Sequence, residues 1–84
     1  MKQIAFSRDA LKILTRIPGN TAKLIRSKID QYARDPKALA NNVKTLKGQP
    51  GVKRLRIGDW RVLFREEAAT IVIIRIAARG SAYD

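Results

Sequence analysis

The stretch that most constrains this chain runs from Val52 to Glu66 and reads VKRLRIGDWRVLFRE. Two β-prone runs, each with apolar and basic positions interleaved, meet at Gly58-Asp59. Glycine at the first position of a two-residue loop supplies the positive φ of a type II′ turn, whose twist matches the flanking strands. Such a loop also fixes the register. It sets Ile57 opposite Trp60, Arg56 opposite Arg61, Leu55 opposite Val62, Arg54 opposite Leu63 and Lys53 opposite Phe64. Side chains alternate along a strand, and directly paired residues share a face. One face of the hairpin therefore carries Leu55, Ile57, Trp60, Val62 and Phe64, with Lys53 at its far end. The other carries Val52, Arg54, Arg56, Arg61, Leu63 and Arg65. The first needs a core. The second crowds four arginines together, a solvated sheet face at its simplest, but one that is destabilising unless an anion neutralises it.

The flanking sequence offers the core. Gln3 to Phe6 predicts a short strand with Ile4 and Phe6 on one side. Ser7 suits a helix N-cap, and Asp9 falls in a first turn. Ala10, Ile13, Leu14 and Ile17 recur at helical spacing, so a helix is expected over Arg8–Ile17, stopped by Pro18-Gly19. Asn20 or Thr21 would cap a second helix whose stripe is Ala22, Ile25, Ile29 and Tyr32-Ala33, ended at Asp35-Pro36. The link of four residues between them implies an antiparallel helical hairpin. Tyr32 reads as a core anchor with its hydroxyl at the edge. Between Pro36 and Pro50, Leu39, Val43 and Leu46 suggest a short helical turn, after which Lys44 and Lys47 lead into Gly48. Thr70 to Ala77 is a β-branched run. Strict alternation would pack Val72, Ile74 and Ile76 on the helices and put Ile71, Ile73, Arg75, Ala77 and Arg79 on the other face. Six arginines would then share one sheet face. The expected fold is α+β, a single domain over residues 1–84. Its element order is β-α-α-β-β-β, with the helical hairpin on one face of a twisted antiparallel sheet.

Composition narrows the function. Eighteen Lys and Arg against seven Asp and Glu leave a formal charge of +11 on 84 residues. Solubility needs only about 2–8 units in a small domain, so a polyanion is the first partner to consider. There is no cysteine and no histidine, which removes thiolate chemistry, Cys-ligated zinc and the usual general base. The carboxylates nearest the hairpin, Asp59, Glu66 and Glu67, are scattered, which argues against a two-metal site. No metal and no cofactor are expected. The first residues do not read as a signal peptide, because Arg8-Asp9 breaks the apolar stretch. The longest apolar window, Ala68 to Ile74, is too short to cross a bilayer. A soluble cytoplasmic protein without a membrane partner is expected.

Several of these residues together resemble the RelE/ParE-type toxins of type II toxin–antitoxin pairs. The resemblance runs through Leu46-Lys47-Gly48, Leu55 to Phe64, Ile74 to Ile76, and Arg79 with Tyr83 beyond it. It covers nearly the whole chain and implies a RelE-like fold and a cognate acidic antitoxin, with which a hetero-oligomer can form. Members similar to RelE cleave mRNA in the ribosomal A site, so ribosome and mRNA are implied partners. Members similar to ParE inhibit DNA gyrase instead. Carried over by position, Arg61 matches the family's arginine after the hairpin aromatic and Arg79 its arginine beyond the last strand. Tyr83 matches the C-terminal tyrosine, and Arg54 stands where RelE-like nucleases often have lysine. The sequence departs from them at Val52, in place of a second lysine, and at Ala78, in place of a histidine. It also ends at Asp84 without a C-terminal helix.

RNA supplies its own nucleophile, the 2′-OH, so such an enzyme needs charge stabilisation, orientation and proton transfer. Arginine does the first well, being planar, bidentate and permanently charged. The resemblance thus implies Arg54, Arg61, Arg79 and Tyr83 as catalytic residues of an endoribonuclease. Lys44, Lys47, Lys53, Arg56, Arg65 and Arg75 would dock RNA, and Lys47 is a candidate for proton transfer. Trp60 shares the apolar face and reads as core rather than as a base-stacking platform. Two alternatives stand beside the nuclease: a gyrase inhibitor, and a non-catalytic nucleic-acid-binding module.

Overall fold

The structure, a computed structural model, describes residues 2–78. The first strand, β1 (Gln3–Phe6), runs into α1 (Arg8–Arg16) and α2 (Gly19–Arg34). A 3₁₀ segment, Pro36–Asn42, leads to β2 (Val43–Thr45), followed by β3 (Val52–Ile57), β4 (Trp60–Glu66) and β5 (Thr70–Ala78). The α+β class and the order of the helices and long strands are as expected. No helix among the described residues is long and apolar enough to cross a membrane.

Local chemistry accounts for most boundaries. The Ser7 side chain accepts the Ala10 N–H at 3.0 Å and so caps α1. Its hydroxyl also donates to the Ile74 carbonyl at 2.6 Å, tying the helix start to β5. The helix α2 opens earlier than Asn20, directly after Pro18, and without a side-chain cap; the interhelical link is Ile17-Pro18 rather than four residues. It ends at Asp35 before Pro36, as the restriction on pre-proline residues requires.

The sheet order is β1-β5-β4-β3-β2. Neighbours are antiparallel except β1 and β5, which are parallel, so the sheet is mixed and the all-antiparallel expectation is corrected. The crossover from β1 to β5 is filled by everything else, which permits parallel pairing. A second correction concerns Val43, placed by sequence in a helical turn. It begins β2 and pairs with Leu55. The β3–β4 hairpin has the expected register in every pair, from Ile57–Trp60 to Val52–Arg65. Gly58 takes φ +56° while Asp59 keeps a negative φ, as a type II′ turn demands.

The core lies between the helices and one sheet face. Ala10, Leu14, Ile25, Ile29, Tyr32 and Leu39 pack against Leu55, Ile57, Val62, Phe64, Ile71, Ile73 and Ile76. Ile71 and Ile73 were expected on the opposite face. A register shift between Leu63 and Phe64 moves the pairing from Leu63–Arg75 to Phe64–Ile73, so Ile74 is the extra residue of a β-bulge. Residues before the bulge change face, burying Ile71 and Ile73 to 1% exposure and turning Val72 away from the core. Residues after it keep the expected parity.

Candidate nucleic-acid interface

The sheet face away from the helices is built of rows that run across the strands. Lys44 on β2 pairs with Arg54 on β3, Arg54 with Leu63 on β4, and Leu63 with Arg75 on β5. The next row, toward the hairpin turn, is Arg56, Arg61 and Ala77. The row on the other side is Val52, Arg65 and Val72. Strands lie about 4.8 Å apart and same-face positions about 6.6 Å apart along a strand. Six cations, Lys44, Arg54, Arg56, Arg61, Arg65 and Arg75, therefore originate from a patch of about 14 by 13 Å. No Asp or Glu occupies a described strand position on this face.

Lys44, Arg56, Arg65 and Arg75 are exposed and Arg54 is half-buried. Between them Val52 and Leu63 are buried to 5% and 3% exposure, although no helix packs on this side. Leu63 has Arg54 and Arg75 as its direct cross-strand neighbours, and arginine stems commonly cover apolar surface while the heads stay in water. Arg61 differs from the rest. It is 6% exposed, and its Nη1 donates to the carbonyls of Gly58 and Trp60, each at 3.2 Å.

Two further cations stand apart. Lys47 is exposed in the turn between β2 and β3, outside the strand rows; there Leu46 N–H donates to Val52 O, and Val52 N–H to Gln49 O, each at 3.1 Å. Lys53 lies on the helix side, where its Nζ sits 3.0 Å from Glu66 Oε1. It does not join the arginine face with which it was grouped as an RNA-docking residue. Glu66 Oε1 also accepts the Tyr32 hydroxyl at 2.7 Å, and Oε2 pairs with Lys2 Nζ at 2.9 Å. Burial works to raise the Glu66 pKa, but hydrogen bonds from Lys2, Tyr32 and Lys53 outweigh it and hold the carboxyl at about 2. Burial, and then the bond to Glu66, push the Tyr32 phenol well up. Tyr32 is thus the core anchor expected of it, its ring 5.1 Å from that of Phe64.

Trp60 is half-buried and packs against the core, which agrees with its parity. The expected catalytic residues Arg79 and Tyr83 lie outside the described residues. Among the described residues no three carboxylates or other metal-ligating side chains come together. Sequence reasoning missed the strand that brings Lys44 level with Arg54, and it missed the burial of Arg61. The second had a signal: Arg61 directly faces Arg56, and two guanidiniums so placed cannot both stay in the same space.

Comparison with known proteins agrees with this architecture. The family described as "ParE toxin of type II toxin-antitoxin system, parDE" matches residues 4–83. Toxin RelE3 of Methanocaldococcus jannaschii is 29% identical over 84 residues, covering 98% of this chain and 96% of that protein. Among solved structures, the RelBE2 toxin–antitoxin complex of Mycobacterium tuberculosis superposes with a TM-score of 0.78 at 23% identity, covering 93% of this chain and 98% of the other. The intact Escherichia coli RelBE complex gives 0.77 at 15% identity over the whole of both chains. At these identities the superpositions speak for the fold, and the family match speaks for the lineage. The chain belongs to the ParE toxin family, within the RelE/ParE superfamily of toxins from type II toxin–antitoxin systems.

Proposed function

We propose that this toxin arrests translation by cleaving mRNA in the ribosomal A site, without a metal, by attack of the RNA 2′-OH on the adjacent phosphate. The observation that carries the proposal is the acid-free face of three cationic rows. A phosphodiester passing to a pentacoordinate transition state gains negative charge on its equatorial oxygens. Fixed guanidinium donors stabilise that charge more than they stabilise the ground state. Arg54 sits at the middle of the patch, between Lys44 and Leu63, and is the donor assigned to the scissile phosphate. Arg65, Arg75 and Lys44 hold the flanking phosphates. Arg79 and Tyr83 complete the site by resemblance, with Tyr83 positioning the nucleophile. Lys47, on the adjoining turn, is the candidate for proton transfer. The relatives' structures are toxin–antitoxin complexes, and an acidic antitoxin that neutralises this face is the proposed partner.

Primer extension on a reporter mRNA after induction tests the proposal. Discrete cuts within the translated region are expected, and Arg54→Ala should slow single-turnover cleavage on saturating ribosome complexes about 10²–10³-fold. A second reading, gyrase inhibition, is favoured by the match to the ParE family and by Val52 and Ala78 at two positions where RelE-like nucleases carry ionisable groups. It requires intact mRNA together with a DNA-damage response, so the same induction experiment decides between the two.

A further inference from the structure

We infer that Arg61 is the anchor of the hairpin turn, a positioning residue, and that its cross-strand partner Arg56 is the arginine that meets the anion. This takes from Arg61 the catalytic role that the resemblance implies and leaves Arg56 its docking role, and it rests on the RNA-binding reading for the identity of that anion. The two side chains leave directly opposed positions on one face, where like charges repel. The structure separates them. Arg61 is the one charged side chain buried among the described residues, whereas Arg56 stays exposed.

The partners of Arg61 explain where it goes. Its Nη1 bridges the carbonyl oxygens of Gly58 and Trp60, the residues on either side of Asp59 in the turn. Both bonds come from one nitrogen of a planar group, whose N–H directions are fixed at the end of a long stem; an ammonium on a shorter, flexible stem is a point charge with rotatable donors. Reaching out to a phosphate would break both contacts and take this support from the turn. Burying a cation is unfavourable in itself, and here it fixes a two-residue turn whose geometry sets the register of β3 and β4. That register aims Arg56. Through the pairing of Trp60 with Ala78 it also holds the end of β5.

The test uses the purified full chain and the variants Arg56→Ala, Arg61→Ala and Arg61→Lys. One measurement is the salt dependence of binding to a single-stranded oligouridylate. The other is hydrogen exchange of the amides from Gly58 to Arg61. Arg56→Ala is expected to reduce the slope of log K against log salt by about 0.7, the loss of one phosphate contact on a single strand, with turn exchange unchanged. Arg61→Ala is expected to keep the slope and to speed turn exchange about tenfold, as loss of its hydrogen bonds implies. Arg61→Lys, which keeps the charge but not the reach and fixed N–H directions of the guanidinium, should share the exchange defect, and it carries the comparison if the alanine variant does not fold. The inference is overturned if Arg61→Ala lowers the slope as much as Arg56→Ala does while its turn amides stay as protected as in the parent. A parent protein without a salt slope would instead overturn the RNA-binding reading, and the exchange measurement would still decide the role of Arg61.

Discussion

Glu66 does at the scale of a single residue what a cap or a disulfide does elsewhere: it joins segments distant in sequence. One carboxylate holds Lys2 before β1, Tyr32 in α2 and Lys53 in β3. Its side chain is 17% exposed, so these charge-assisted bonds are only partly screened. Its folded pKa of about 2 lies below the ordinary value of 4.5. The stabilisation is therefore complete above about pH 4.5 and is lost as pH falls through 2. Discounted for solvent screening, it amounts to about 1–2 kcal/mol. Urea unfolding followed from pH 6 to pH 2 should show a falling midpoint below about pH 4.5, and Glu66→Gln should flatten that part of the curve. The raised phenol of Tyr32 acts at the other extreme, contributing stability below pH 10 that is lost in strong alkali. None of this network was legible in the sequence, because its members are 13 to 64 residues apart and no local pattern links them.

At the scale of an element, the two halves of the sheet show why some structure can be read from sequence and some cannot. The β3–β4 hairpin was legible because a two-residue turn leaves one register and because its alternation is chemically sharp, with arginine against leucine or valine. The strand β5 has no such contrast. In TIVIIRIA every position up to Arg75 is β-branched, so either parity buries isoleucine and the pattern cannot disclose an extra residue. The bulge at Ile74 is held instead by tertiary contacts, including the Ser7 hydroxyl on the Ile74 carbonyl. Neighbouring isoleucines should consequently respond differently to truncation. Ile73→Ala removes a fully buried side chain and should cost about 2–5 kcal/mol; Ile74→Ala, at a half-buried position, should cost less than about 2. Denaturant midpoints of the two variants check this, and equal losses would contradict the bulge. The other misses have similar causes. The strand β2 has only three residues, too few for periodicity to register, and parallel pairing of β1 leaves no local mark.

For the molecule as a whole, composition gives a charge of +11, which makes an anionic partner the first to consider before any fold is known. What composition could not reveal is its arrangement, with a cationic sheet face opposite the helix-packed core. Self-repulsion across that face should make the free toxin more stable as salt is added. Raising sodium chloride from about 20 to about 300 mM shortens the screening length several-fold and is expected to raise the melting temperature by a few degrees. An acidic partner bound to the face should reverse the sign of that dependence, since salt would then weaken an attraction. Differential scanning fluorimetry on toxin alone and with an acidic polypeptide measures both slopes. The sheet order, with β5 inserted between β1 and β4, has a consequence in time. A chain growing from its N-terminus makes β1 first, but the strand that β1 needs comes after all the others. Ile71, Ile73 and Ile76 of the core arrive with it, as does Arg75 of the central row. Contacts between such distant segments also form slowly, on a scale of about milliseconds to seconds. On a growing chain the core and the central cationic row therefore stay incomplete until β5, with Arg75, has been made.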